Sequence, residues 1–462
     1  MLDRDLPLDG VTIAGLVRGG EIKATDVAEQ ALHSIAAGDG EVNSFTSVLA
    51  ERARRDAHRV DAQVAAGLDP GPLAGVPVAV KNLFDVAGEV TLAGSRINQE
   101  RPPARADAAA LARLTEAGAV LVGSLNMDEY AYGFTTENSH YGPCRNPHDL
   151  TRVAGGSSGG SGAAVAADFV PLTLGSDTNG SVRIPAALCG VFGLKPTYGR
   201  ISRRGMFPFC SSLDHVGVLA RSVRDLAVSF DVLRGHDPED PATRSRRVEP
   251  TAGRVDLLRL AVADDYFARG GTPEAFEAVA AVAEALGIDR RVTIPEAGRA
   301  RSAAMVITAS EGADLHRQNL RTRPGEFDPM TRDRFLAGAL VPASAYLIAQ
   351  RFRRWFRAEV GRVLETADVV VAPATPFPAP LIGQREAVVE GETVLTQPYL
   401  GCYTQPLSFV GLPVISVPVG DRGLPLGVQL IAAPYREAVL FRVAAELERR
   451  GVCTAPVARP WK

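Results

Sequence analysis

Lysine is almost missing from this chain: of 50 basic residues only Lys23, Lys81, Lys195 and Lys462 are lysines, and the rest are arginines. A lysine kept against that background is a candidate for a task arginine cannot perform, above all one that needs a neutral amine. No charge of one sign dominates either. The formal net charge is −3, from 50 basic and 53 acidic residues, a field too weak to gather nucleic acid or an acidic membrane surface. No apolar run approaches the ~20 residues that span a bilayer, and the opening MLDRDLPLDGVTIAGLVRGGE lacks the apolar stretch of a secretion signal. Cys144, Cys189, Cys210, Cys402 and Cys453 are odd in number and show no CxxC spacing, which excludes a disulfide framework and a zinc ribbon. These absences point to a cytoplasmic protein with reduced thiols, no direct contact with nucleic acid or membrane, and small-molecule chemistry.

What the chain does have is bulk. With 462 residues, 46 % of them hydrophobic, it can bury a large core. The first ~70 residues read as helices, with Thr25 as an N-cap, Asp26 in the first turn and Val27, Ala31, Leu32 and Ile35 on one face. A second helix follows through Ala53, Ala57, Val60 and Val64. Val76 to Val80 is a short apolar run of the kind a buried strand shows, ending on Lys81, and 107–122 reads helix, Gly118, strand. Beyond Asp225 the alternation resumes: strands near 258–262, 369–371, 414–417 and 426–431, and helices near 276–286, 345–363 and 437–449. Such alternation predicts an α/β fold. The polar stretch 236–254 is the one candidate linker, but apolar content is alike on both sides. The chain therefore reads as a single domain over 1–462, with N-terminal helices (1–70), a core (72–230) and a remainder (255–462).

Three segments carry chemistry. The first, AGGSSGGSGAAVAA (154–167), runs a Gly/Ser loop into a small-residue helix. It fails the phosphate-loop pattern because no lysine follows the glycines. It matches G-x-S-x-G twice, with His215, His236 and His316 downstream, yet a nucleophile elbow needs a strand directly before it and DLTRVA is a poor strand. The second, GSDTNGSVRIPA (175–186), places Ser181 after Thr178, Asn179 and Gly180, where consecutive N–H groups can converge on one oxyanion; a plain strand-to-helix turn accounts for it equally well. The third is Lys81, held at the end of an apolar strand where lost solvation lowers an amine's pKa and makes it a base; a strand-end lysine reaching solvent is the plainer reading.

Together, GVPVAVKNLFDV, GGSSGGSGAAVAA, GSDTNGSVRIPAALCGVFGLKPTYGR and SSLDHVG, in that order, resemble the amidase signature family over nearly the whole chain. The resemblance implies a central mixed β-sheet covered by helices on both faces, amide hydrolysis without cofactor or metal, and a Ser-cisSer-Lys triad at Lys81, Ser157 and Ser181. It also implies an oxyanion hole at Thr178, Asn179 and Gly180, where Asn179 departs from the family's usual glycine. Within the family, segments 126–149, 307–316 and 349–357 resemble the branch that hydrolyses carboxybiuret to urea-1,3-dicarboxylate. The glutaminase subunits of tRNA-dependent amidotransferases share much of NMDE, TEN, GP and SSLD.

By the same resemblance Arg353 is a carboxylate-binding residue, while Tyr132, Asn126 and His316 are candidates to contact substrate, the last beside Glu311. A glutaminase also needs an acid to pair with the substrate ammonium, and no Asp or Glu occurs between Thr396 and Gly420. The expected substrate is thus a small anionic amide or ureide. Both branches associate with a small helical protein, so an accessory subunit is expected, in a homodimer or heterotetramer. His140, Cys144 and His148 could approach one another as metal ligands, though no fourth ligand is apparent. Asp128 and Glu129 read as ordinary loop carboxylates. A non-catalytic scaffold remains the alternative of another class, and a complete set of Lys81, Ser157 and Ser181 argues against it.

Overall fold

The computed structural model describes residues 8–246, 253–420 and 423–459. Its centre is an eleven-stranded sheet. In chain order the strands are β1 (Phe45–Val48), β2 (Pro77–Lys81), β3 (Val120–Leu125), β4 (Leu172–Asp177), β5 (Phe192–Lys195), β6 (His215–Ala220), β7 (Leu260–Ala263), β8 (Arg291–Val292), β9 (Val369–Pro373), β10 (Val414–Val419) and β11 (Leu426–Ile431). They lie side by side as β1-β3-β2-β4-β6-β5-β10-β11-β9-β7-β8. The sheet is mixed: β2 runs parallel to β3 and β4, and β7 parallel to β8 and β9, while β4, β6, β5, β10, β11 and β9 follow one another antiparallel. Every residue of β2, β4, β6, β9, β10 and β11 is buried, so both faces of the central strands are covered.

The helices that matter below are α1 (Gly10–Arg18), α2 (Ala24–Val42), α3 (Ala50–Ala65), α4 (Ala109–Glu116), α5 (Gly159–Ala166), α6 (Arg183–Leu188), α7 (Val223–Leu233), α8 (Pro273–Leu286), α9 (Ala297–Leu315), α10 (Pro329–Ala339), α11 (Ala343–Thr366) and α12 (Glu437–Arg449). Helices α5 and α6 consist wholly of buried residues and sit inside the molecule against the sheet; α5 is built of Gly, Ser, Ala and Val, and α6 is apolar but for Arg183, whose charge is paired with Asp177. Helices α10 and α11 each pack against α9.

The alternation in the sequence corresponds to these elements, with three local differences. Thr25 lies inside α2, whose N-cap position is Lys23; the capping acceptor is Asp61 of α3, which takes the N–H groups of Ala24 and Thr25 at 2.7 and 3.2 Å and the Thr25 hydroxyl at 2.8 Å. A cap supplied by another helix leaves no local sequence signal. The all-helical reading of the N-terminal region missed β1, a four-residue edge strand formed by pairing with β3. DLTRV does form a strand, Asp149–Val153, but it belongs to a two-stranded hairpin outside the main sheet. The candidate linker 236–254 lies partly outside the described residues. No single described helix is long and apolar enough to cross a membrane.

Candidate active site

Strands β2 and β4 are parallel neighbours, with Val80 level with Leu174. Their C-terminal ends therefore place Lys81 beside Ser176 and the loop 178–182, the end of a parallel pair where open sheets gather ligands. Lys81 is fully buried. Its side-chain nitrogen Nζ lies 2.8 Å from Ser157 Oγ and 2.9 Å from Ser176 Oγ. Burial pulls its pKa down to about 7, against the opposing pull of Asp128, Asp177 and Asp214. Near neutrality the amine can thus hold or release a proton.

Ser157 follows a cis Gly156–Ser157 peptide. Gly156 has no room for a side chain, because a Cβ there would run into Asp128 Oδ2, the Thr135 nitrogen and the Phe134 carbonyl carbon. The main chain then enters α5, and the Ser158 N–H donates to the Ser181 carbonyl at 3.2 Å, tying the two serine loops together.

Ser181 is held by a buried ion pair. Asp177 accepts Arg183 Nε and Nη2 at 3.0 Å each, the Gly180 N–H at 2.7 Å and the Val182 N–H at 3.2 Å. Burial alone would raise its pKa, but the Arg183 charge and hydrogen bonds, with Lys195 and His215, hold it well below the usual carboxylate range. Arg183 also reaches Gln429 Oε1 at 2.7 Å and Ser408 Oγ at 2.5 Å, so the loop is fixed to β11. At Gly180, with φ +139°, a side chain would strike Thr404. Thr178 Oγ1 donates to Asp214 at 2.6 Å, and burial pushes Asp214 up to about 6. Asn179 donates to Thr308 Oγ1 at 2.9 Å.

Thr178, Asn179 and Ser181 open onto a cavity of about 340 Å³, lined also from α9 and α10 by Met305, Val306, Thr308, Ala309, Arg334 and Ala337. Tyr132, Gly133, Phe134 and Phe209 form its sides. Gly180 is not part of that lining, and its N–H is already given to Asp177. The N–H groups nearest the cavity are those of its neighbours.

The other candidates are spread out. Tyr132 lines the cavity. Arg353 does not: its Nε and Nη2 donate to the Phe409 and Ser212 carbonyls at 2.6 and 2.7 Å. Asn126 is a loop anchor, donating to the carbonyls of Asn43 and Gly142 at 3.1 Å. His316 stacks among Tyr130, Phe207, Phe327 and Phe335, with its ring 3.9 Å from that of Tyr130, and burial lowers its pKa to about 3. Glu311 accepts from Ser212 Oγ at 2.6 Å and Tyr346 OH at 3.0 Å. His140 turns to Glu129 and His148 to the Cys189 carbonyl, while Cys144 is buried. The elbow histidine His215 faces the Leu213 and Asp177 carbonyls through Nδ1 and Lys195 through Nε2.

Residue-by-residue reading of the sequence passed over Ser176, Asp177, Arg183 and Arg334. It also undervalued Asp128, whose Oδ1 accepts the Thr136 N–H at 3.0 Å while Oδ2 is buried without a partner. Burial pushes that carboxyl up to about 7. The GSD and VRIP residues around Ser181 carried a usable signal, a charged pair inside an otherwise small and apolar segment.

A serine in contact with a lysine whose amine burial brings close to its neutral form, beside a second serine on a cavity wall, is an arrangement that can support nucleophilic chemistry without histidine. The chain belongs to the amidase family, whose model matches residues 26–441, and it is a hydrolase acting on amides. It is 52 % identical to AtzE, the 1-carboxybiuret hydrolase chain of Pseudomonas sp. strain ADP, over 94 % of this chain and 97 % of the relative. It is 40 % identical to the corresponding component of the glutamyl-tRNA(Gln) amidotransferase of Anaeromyxobacter dehalogenans strain 2CP-C, over 94 % of each chain. Among solved structures it superposes with TM-score 0.95 and 50 % identity, over 97 % of this chain and 100 % of the other, on one described as a vestigial protein complex that reveals the origins of an s-triazine catabolic enzyme. The matching chain of the Thermotoga maritima glutamyl-tRNA(Gln) amidotransferase superposes with TM-score 0.83 at 32 % identity, over 99 % of each chain.

Proposed function

We propose that the protein hydrolyses a small anionic ureide with release of ammonia, and that the ureide is carboxybiuret, giving urea-1,3-dicarboxylate. The observation that carries the reaction is the 2.8 Å contact between Lys81 Nζ and Ser157 Oγ, beside a loop whose Ser181 lines the cavity and whose carbonyl accepts the Ser158 N–H. In this reading Ser181 Oγ attacks the terminal carbonyl as its proton passes to Ser157, whose own proton passes to neutral Lys81. The N–H groups of the 178–181 loop other than that of Gly180, which Asp177 holds, face the oxyanion. Collapse of the tetrahedral intermediate breaks the C–N bond, and the proton held on Lys81 returns through Ser157 to the departing nitrogen, which leaves as ammonia. Water then attacks the acyl-serine by the same relay and frees the acid and Ser181.

The choice of substrate is supported by the 52 % identity to a chain of a carboxybiuret hydrolase and by the cavity itself, since no Asp or Glu stands among its lining residues. A glutamine ammonium would find no counter-charge there. The test is ammonia release from carboxybiuret, formed in place by enzymatic opening of cyanuric acid, with glutamine in parallel. Release from carboxybiuret that disappears in Ser181→Ala, with none from glutamine, is the expected result; release from glutamine alone would transfer the protein to the amidotransferase reading. A small helical accessory protein completes the proposal, as a solved relative at 50 % identity is described as a protein complex. Purification from the native host should bring down a second, small chain, in a homodimer or heterotetramer whose mass light scattering reports. A lone chain would remove the accessory protein from the proposal.

A further inference from the structure

We infer that Gln405 is the hydrogen-bond donor that recognises the inner carbonyl of a ureide, the one next along the chain from the carbonyl attacked, and that Arg301 positions it. The inference rests on the hydrolase reading above and concerns how the Ser181 cavity tells a ureide from a plain amide. Gln405 opens the short helix Gln405–Phe409 and lines the cavity while being only 4 % exposed. The residue before it is tied to the nucleophile loop: Thr404 Oγ1 donates to the Asn179 carbonyl at 2.7 Å, and the Thr404 carbonyl accepts Arg183 Nη1 at 3.2 Å. Gln405 and Ser181 thus line one cavity from segments bonded to each other.

The orientation of the Gln405 amide is fixed by charge. Arg301, on α9, donates Nε to Gln405 Oε1 at 3.1 Å; a guanidinium only donates, so the atom turned to it is the oxygen and the amide nitrogen is the other. Arg301 is held in turn, donating Nη2 to the Pro398 carbonyl at 3.1 Å with its guanidinium 5.2 Å from the centre of the Tyr399 ring. The Nε2 donors of Gln405 have no partner among the described residues, and the little surface this enclosed residue keeps lies on the cavity. The second side-chain amide of the lining, Asn179, is already committed, with Nδ2 donating to Thr308 Oγ1 at 2.9 Å. A free donor enclosed beside Met305, Val306 and Ala309 is satisfied by an acceptor on the ligand and left stranded by a methylene. In a ureide a second carbonyl follows the scissile one across a single N–H; in glutamine the same position is a methylene. With the scissile carbonyl at the 178–181 loop, the second is the acceptor left for Gln405.

Malonurate and N-carbamoyl-β-alanine match carboxybiuret in chain length and charge, and differ from each other in one group, an inner carbonyl in the first and a methylene in the second. Calorimetry on Ser181→Ala, which binds without turnover, is expected to show malonurate held at least about tenfold more tightly. Adding Gln405→Met should erase that preference, weakening malonurate about tenfold or more and N-carbamoyl-β-alanine less than about threefold. Arg301→Met should lower the same preference, and should add nothing once Gln405→Met is present, the signature of a residue that acts through another. Equal losses on both ligands, a preference that survives Gln405→Met, or no binding of malonurate to Ser181→Ala overturns the inference. The hydrolase reading is decided separately, by Ser181-dependent ammonia release from carboxybiuret. If Gln405→Met does not fold, Gln405→Glu decides, since it keeps an oxygen for Arg301 and removes the donor: loss of the malonurate preference supports the inference, and an unchanged ratio counts against it. In the active enzyme Gln405→Met should raise KM for carboxybiuret about tenfold with kcat within about threefold, and a fall confined to kcat overturns the assignment to the inner carbonyl.

Discussion

Lys81 and Asp128 are two buried groups that both titrate near pH 7, one an amine pulled down and the other a carboxyl pushed up, each chiefly by burial. Their consequences run in opposite directions. Below about 7 Lys81 is an ammonium that cannot take a proton from Ser157, so kcat/KM is expected to fall about tenfold per pH unit on the acid side and level off above it. Initial rates between about pH 5 and about pH 9 check this, and a flat profile would remove Lys81 as the base. For stability, an unfolded Lys81 with pKa 10.5 binds a proton that the folded one lacks between about 7 and 10.5, so its contribution rises with pH across that window. Asp128 does the reverse: between 3.8 and about 7 the folded form holds the extra proton, and its contribution falls as pH rises. Asp128→Asn should therefore gain stability relative to the parent on going from about pH 5 to about pH 8, read from urea midpoints at the two pH values; a constant difference would mean that the carboxyl keeps its ordinary pKa.

At the scale of elements, the buried Arg183–Asp177 pair binds the β4–α6 turn to β11 and to the 404–408 segment. Arg183→Met would strand a buried carboxylate, at a cost of roughly 3–5 kcal/mol. A shift of the urea midpoint by that amount, with loss of activity, is the expected outcome, and a shift under about 1 kcal/mol would show that the turn holds without the pair. Gly156→Ala should be nearly as damaging, since the added methyl meets backbone and Asp128 on a wall that does not give. The chemistry-bearing loops were legible from sequence because they are dense in Gly and Ser and follow apolar strands, so their residue types and their order both carry information. Arg334 was not. It stands in RDRFLAGAL beside Arg332, and only its place in the lining of the Ser181 cavity separates the two. The same holds for the Asp61 cap on α2 and for Asp128, whose burial depends on the packing of Gly133 and Gly156 around it.

For the whole molecule, the decisive contact is β5 against β10. Residues 193–195 pair directly with 414–416, so the sheet passes from the N-terminal to the C-terminal half without a seam. That continuity supports the single-domain reading, and urea unfolding followed by tryptophan fluorescence and by circular dichroism should give one coincident transition. Two separated transitions would place a boundary in the chain after all.

The cavity's lining has separate origins in the chain. Ser181 and its neighbours come from the first half, Arg334 and the residues around it from 305–341, and Pro398 and Gln405 from further along. On the proposed mechanism, the reacting serine and much of the cavity around it are encoded in separate stretches of the gene, so a lineage could retune the pocket for other nitrogen sources by changing the second stretch alone.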